Sequence, residues 1–173
     1  KLSFRGVKII VHTIETQNQL KFLTGSKNIF SHPLCYTNSD DRNFIGNYFE
    51  NSNYLKNKYK INSDLIIGVF GFFGNYKGFD VALKAIKNLK NIGCNPVLLV
   101  CSGLHPEDIK NNRTEGINIL NNYIEKNKLN GNVVYTGALS DLEMYKLIRG
   151  VDVCWLPYRE VGQEASAIIS EVA

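Results

Sequence analysis

From Leu65 onward, short apolar runs rich in β-branched residues alternate with segments whose apolar residues recur at helical spacing, and this alternation constrains the fold more than any other feature. Leu65 to Phe70, Pro96 to Cys101, Val133-Val134-Tyr135 and Val151 to Leu156 read as strands. Between them, Val81, Ala82, Leu83, Ala85, Ile86 and Leu89 form one helical stripe, and Ile117, Leu120, Ile124 and Leu129 form another. Pro106-Glu107-Asp108 opens a helical turn, with proline where its missing N–H costs nothing. Ser140-Asp141-Leu142-Glu143 is a capping-box pattern for a helix that Gly150 can end, and Gln163 to Ala173 offers a last helix. Strands and helices in that order predict an α/β fold with a parallel sheet covered on both faces.

The first third of the chain is organised differently. Val7 to Val11 reads as a strand, Glu15 to Leu23 as a short helix closed near Gly25, and Asn28-Ile29-Phe30 as a second strand ending at His32-Pro33. That is one βαβ unit, too small to bury a core of its own. From Tyr36 to about Ser63, Asn, Ser, Asp, Lys and Tyr replace the aliphatic residues, as in an interdomain connection with some local helix over 53–60. The expected division is therefore 1–35, 36–63 and 64–173. A start at Lys1 and an end at Ala173, inside a helical pattern, are what a piece of a longer protein would show.

Composition narrows the function classes. Of 173 residues, 44% are hydrophobic and 11% aromatic, enough for a packed core. Twenty basic against sixteen acidic residues leave a net charge of +4, too mild and too dispersed for nucleic acid but suited to an anionic ligand. The four cysteines, at 35, 94, 101 and 154, form no Cys-x-x-Cys pair and read as free thiols of a reducing compartment. No apolar run approaches the roughly 20 residues of a membrane-spanning helix, and no signal peptide is evident. The sequon at Asn112-Arg113-Thr114 reads as accidental on that basis.

Chemistry concentrates in Gly68-Val69-Phe70-Gly71-Phe72-Phe73-Gly74-Asn75-Tyr76-Lys77-Gly78-Phe79-Asp80. Here a buried strand stops at clustered glycines and delivers one lysine where a helix begins. Glycine lets the backbone turn tightly and approach a ligand closely, and the unpaired N–H groups of a helix start suit a phosphate. Asp80 in the first turn complements the positive end of the helix dipole. The glycines are spaced three, three and four apart, and Gly78 follows the lysine, so neither of the two best-known phosphate-loop patterns fits. For this segment alone two readings stay open: a diphosphate site, or a plain strand-turn-helix corner with Lys77 on the solvated face.

Five local patterns in order resemble the donor-binding C-terminal half of a GT-B glycosyltransferase, closest to the retaining family 4 (group 1) type. They are Gly71-x-x-Gly74-x-x-Lys77-Gly78, Cys101-Ser102-Gly103, Val134-Tyr135-Thr136-Gly137-Ala138-Leu139, Val151 to Pro157-Tyr158, and Gly162-Gln163 with Glu171 eight residues on. The resemblance covers residues 65 to 173, and it reads residues 1–35 as the end of the acceptor-binding domain. It implies a Rossmann-like half that binds a nucleotide-diphosphate sugar as substrate, with no cofactor and no metal. The sugar is transferred with retained configuration to a glycan or lipid-linked acceptor, in cell-surface polysaccharide or glycolipid synthesis. Such an enzyme works in the cytoplasm, at the inner face of the membrane where the other domain associates with it. A second function class, a nucleotide-binding module of the same fold that transfers nothing, stays open.

Carried over residue by residue, the resemblance makes Lys77 the diphosphate lysine and, with Gln163, a catalytic group. Gly71 and Gly74 bring backbone amides near the phosphates, and Ser102 and Gly103 line the donor site. Gly137, Ala138 and Leu139 read the base through backbone groups. Ser166 donates to phosphate, and Glu171 accepts from the ribose hydroxyls. Two positions depart from the pattern: Phe72 stands where the family commonly has an arginine beside the lysine, and Gln163 replaces the first glutamate of Glu-x7-Glu. Arg159 is either a replacement cation or a solvated loop charge. His12 is either a cleft group or a satisfied strand-end histidine, while His32 and His105, each before proline, read as turn residues.

Overall fold

In the computed structural model the described residues are 6–34, 45–104, 106–111, 114–159 and 166–172. Gln163 with its neighbours 160–165, His105, Cys35 and the first two positions of the sequon lie outside them. By contact density the chain divides into two units, residues 39–160 and residues 1–38 with 161–173.

The larger unit holds α2 (Tyr48–Tyr59), β3 (Ile66–Phe70), a 3-10 turn (Asn75–Lys77), α3 (Phe79–Asn91), β4 (Val97–Cys101), α4 (Pro106–Lys110), α5 (Glu115–Lys126), β5 (Val133–Tyr135), α6 (Asp141–Gly150) and β6 (Val153–Cys154). Its four strands are all parallel, in the order β5-β4-β3-β6. Register pairs Ile66 with Val97 and Phe70 with Cys101, and Leu98 with Val133. β3 and β4 are buried at every residue, which is why they read as continuous apolar runs rather than as alternating ones. Ile67, Val69, Leu98 and Val100 pack against Ala82, Leu83 and Ile86 of α3 and Leu120 and Ile124 of α5. The intervening residues Ile66, Phe70 and Leu99 point the other way and are equally buried, so both faces of the sheet are covered.

The strands expected at 65–70, 96–101 and 133–135 lie within one residue of their observed limits. Two segments differ. The local helix expected over 53–60 spans Tyr48–Tyr59, because Asn47 and Glu50 form a reciprocal capping box. It packs on α6 at Gly150, where a Cβ would sit 2.8 Å from the Asn51 carbonyl carbon. The strand expected over Val151 to Leu156 pairs only at Val153 and Cys154, against Ile67 and Gly68. It is an edge strand whose flanking residues bond singly, Asp152 N to Ile66 O at 2.9 Å and Trp155 N to Gly68 O at 2.8 Å. At α6, Ser140 accepts from Glu143 N at 3.4 Å as expected, while the Glu143 carboxylate reaches out to Lys58 of α2.

In the smaller unit β1 (Ile9–Val11) and β2 (Ile29–Ser31) pair in parallel, connected by α1 (Ile14–Thr24). Thr13 caps the helix by accepting from Thr16 N at 3.1 Å, and Gly25 ends it in the left-handed conformation. No residue of α1 is buried and Ile29 is the buried residue of β2, in keeping with a βαβ unit too small for a core. This unit also contains α7 (Ala167–Val172), six residues long.

Candidate functional site

Four loops of the larger unit leave the carboxyl ends of its strands, where ligands of open α/β sheets bind. After β3 the chain turns at Gly71, whose φ of 114° favours glycine, and its N–H donates across the sheet edge to Cys101 O at 3.2 Å. Phe73 N then donates to Gly103 O at 3.0 Å, so the β3 and β4 loops are laced together by backbone. Gly103 in turn faces the β5 loop, because a Cβ on it would lie 3.5 Å from the Ala138 methyl. Gly71, Gly74, Ser102, Gly103 and Ala138 thus share one edge of the sheet. Ser102 is buried, its hydroxyl on Gly103 O at 3.4 Å, while Gly137 (φ 72°) and Ala138 are exposed and Leu139 is half-buried.

Lys77 ends the 3-10 turn directly before α3. Gly78, at φ 68°, takes the cap position of that helix without a side-chain bond, which leaves the first turn without side-chain capping. The glycine is also required by packing: a Cβ at Gly78 would fall 1.9 Å from the backbone oxygen of Pro157. The β3 and β6 loops therefore touch backbone to backbone. Arg159 N adds a second tie, donating to Tyr76 O at 2.8 Å.

The lysine is not on the solvated face. It retains 9% of its accessible surface, its stem lying along Gly71, where a Cβ would meet Cε at 3.2 Å and Nζ at 3.3 Å. The Nζ stands 4.0 Å from the centre of the Tyr158 ring and 5.1 Å from that of Tyr76. Among the described residues no carboxylate pairs with it. The open choice for this segment therefore narrows to a buried ammonium held by aromatic faces at a helix start.

Arg159 is not an unpaired loop charge. Its guanidinium donates to Asp80 in the first turn of α3, and Asp80 also faces Lys84 at 3.7 Å. Phe72, at the position of the family's arginine, is half exposed. Beside this pair a cavity of about 420 Å³ opens between Phe73, Phe79, Leu104 and Leu120, with Asp80 and Arg159 at its border. Phe73 stacks on Phe79 with ring centres 4.7 Å apart.

Ser166 and Glu171 belong to the smaller unit, Ser166 buried just ahead of α7 and Glu171 within it. His12 has its Nδ1 3.2 Å from His32 O, and His32 its own Nδ1 2.7 Å from Pro33 O, so both are engaged at strand ends. Cys94, Cys101 and Cys154 are free thiols; burial pushes the Cys154 thiol up to about 11 and Cys101 higher still. Sequence reading passed over Tyr76, for which adjacency to Lys77 was the available signal; it placed Tyr158 on the loop after the fourth strand, at the carboxyl edge of the sheet, without giving it a role.

No protein-family model matches the sequence, and no curated protein matches it. Solved structures do share the fold. A glycosyltransferase from Rickettsia africae has a TM-score of 0.64 at 18% identity, over 85% of this chain and 38% of its own. The C-terminal domain of LpcC, a group 1 family glycosyl transferase from Francisella tularensis, has 0.54 at 18% identity, over 69% of this chain and 59% of its own. The catalytic domain of starch synthase IV from Arabidopsis thaliana, bound to ADP and acarbose, has 0.53 at 15% identity, over 85% and 32%. The chain thus spans between one third and three fifths of the length of these structures. What the likeness shows is the fold: an α/β architecture with parallel strands, as in the C-terminal domains of GT-B glycosyltransferases.

Proposed function

We propose that this chain carries the nucleotide-sugar half of a retaining glycosyltransferase, in which Lys77 neutralises the diphosphate leaving group. One observation carries the reading: a buried ammonium without a carboxylate partner among the described residues stands at the start of α3, at the carboxyl edge of a parallel sheet. Breaking a glycosidic bond to a nucleotide diphosphate places negative charge on the departing oxygen, and a preorganised cation beside helix amides stabilises it. Gly71 and Gly74 admit the phosphates to the backbone, Ser102 and Gly103 border them, and Gly137 to Leu139 face the base. By the family resemblance, Gln163, Ser166 and Glu171 would bind sugar, phosphate and ribose. Transfer then goes to a glycan or lipid-linked acceptor, in cell-surface polysaccharide or glycolipid synthesis at the inner face of the membrane. Among the described residues no helix is long and apolar enough to cross a membrane.

A panel of UDP-, GDP- and ADP-sugars against the full-length protein tests this, because a ligand that binds only the native state raises its apparent stability. One donor should raise the melting temperature, and transfer from it should persist in excess EDTA. No shift with any donor overturns the nucleotide-sugar reading, and turnover lost in EDTA and restored by manganese overturns the metal-free mechanism. Phe72 in place of the arginine favours a second reading, a nucleotide-binding module that transfers nothing. It would show a donor shift without hydrolysis or transfer.

A further inference from the structure

A cation nine-tenths buried needs compensation for its lost hydration. Among the described residues no carboxylate supplies that compensation to Lys77. The nearest first-turn carboxylate, Asp80, is engaged by Arg159 and Lys84. What faces the ammonium is aromatic: Tyr158 at 4.0 Å and Tyr76 at 5.1 Å. Both distances lie within the range over which a ring face attracts a cation, about 6 Å.

We propose that Tyr158 and Tyr76 form a cradle that fixes the Lys77 ammonium while leaving its charge available, and that Tyr158 is thereby a positioning residue for a phosphate-bearing ligand. The inference rests on the reading of Lys77 as the diphosphate lysine. Its logic is electrostatic. A carboxylate partner would hold the lysine equally well but cancel its charge toward an arriving anion. A ring face attracts the cation through its quadrupole and carries no net charge, so the full positive charge still faces the ligand. This matters most where the second cation of the clamp is a phenylalanine, as it is at Phe72.

The cradle is assembled by backbone. Arg159 N on Tyr76 O joins the segment carrying Tyr158 to the one carrying Tyr76 at 2.8 Å, and the Gly78 contact with Pro157 sets the spacing between the two loops. Gly71 closes the third side, its missing Cβ leaving room for Cε and Nζ. The Arg159 pair with Asp80 then anchors the far end of the Tyr158 loop to α3. Asp80 and Arg159 are accordingly members of the support, not of the anion contact.

The test uses the full-length protein with 13C-labelled lysine, and titrates pyrophosphate, UDP, GDP and ADP by calorimetry. In the free protein the Lys77 Cε protons should be shifted upfield by the Tyr158 ring, and the shift should vanish in Tyr158→Leu. Tyr158→Leu should weaken the best-bound diphosphate about tenfold, the scale of one desolvated cation–π contact. Tyr158→Phe should restore most of that loss, and fluorinated phenylalanines at 158 should weaken binding stepwise as the ring face loses its negative potential. Tyr158→Leu binding as tightly as the parent, while Lys77→Ala does not, overturns the cradle and leaves the lysine reading standing. A fluorine series with no trend assigns the ring to packing alone and also overturns it. If none of the four ligands binds the parent protein, the diphosphate reading fails and the positioning role falls with it.

Discussion

The two edges of the same sheet are built from opposite materials. At the amino edge β3, β5 and β6 are each preceded by a polar residue engaged in hydrogen bonds. The Ser63 hydroxyl, ahead of β3, lies on Asn95 O at 2.6 Å and Leu65 O at 3.0 Å. Asn132, ahead of β5, donates to Asn95 Oδ1 at 3.0 Å and Pro96 O at 2.8 Å, and accepts from Lys90 at 2.9 Å. Asp152, ahead of β6, accepts from Ile66 N at 2.6 Å and from the Tyr48 hydroxyl, whose phenol is held above its usual range by that bond. At the carboxyl edge the loops are glycines, ring faces and one buried ammonium. A saturated network rigidifies its surroundings and has nothing left for a ligand, whereas a cation held by rings keeps its capacity to bind. On the proposed reading, stability and function are assigned to opposite ends of the strands.

The sharpest way to break this partition is at the one residue that serves both. Gly78→Ala places a Cβ against the Pro157 backbone at a positive φ, and neither backbone can yield without moving the other. Strain in the left-handed region together with overpacking predicts a loss of about 3 kcal/mol. A urea unfolding midpoint should show it, with nucleotide binding lost at the same time. A parental midpoint would mean that the two loops separate easily and that the carboxyl edge is not a fixed frame.

Lys77→Ala should separate the edges instead. Turnover of the full-length enzyme should fall about 100-fold or more, the scale of removing one preorganised donor to a developing oxyanion. Stability should change by only about 1 kcal/mol, from the lost stem packing and ring contact. Lys77→Arg should recover part of the rate, since a planar guanidinium presents its donors differently. Transfer at near the parental rate by a folded alanine variant would remove Lys77 from the site.

Asn132→Ala is the mirror experiment. It strands the Pro96 carbonyl and removes two partners from a buried network, an expected loss of about 2 kcal/mol. Nucleotide affinity should stay at the parental value, as isothermal titration would register. Weakened binding in this variant would show that the two edges are coupled through β4 and β5.

How far this partition could be read beforehand follows from its materials. The continuous apolar runs of β3 and β4 and the stripes of α3 and α5 are local signals, and they located the sheet. The glycine-rich turn after β3 was legible as a strand-turn-helix corner, while the sequence alone left open whether Lys77 serves a diphosphate or lies on the solvated face. The amino-edge network was not, since Asn132 and Asn95 are joined across 37 positions without any local periodicity. The same holds for Arg159 and Asp80, 79 residues apart, whose ion pair no local pattern marks. The burial of Lys77 also escaped a sequence reading, because it depends on Tyr158, distant in sequence and brought alongside by the pairing of β6 with β3. For the start of α2, the Asn47 and Glu50 capping box was in the sequence but lay within a polar stretch read as a connection.

The smallest expected effect tests the sheet between its edges. Cys154 sits in the edge strand β6, half-buried, and burial raises its thiol from 9.0 to about 11. The neutral thiol is favoured in the folded state, so its contribution to stability is complete below the unfolded value. As the pH rises above 9.0, the unfolded chain ionises first and that contribution is lost, until the folded thiol also ionises near 11. Other groups titrate in the same window, so the informative quantity is the difference between parent and Cys154→Ala. Urea midpoints measured from pH 8 to pH 11 should fall more steeply for the parent than for the variant, with the two curves running parallel below pH 9. Parallel curves throughout would mean that β6 admits water to Cys154, and that the fourth strand is an open edge rather than part of the buried sheet.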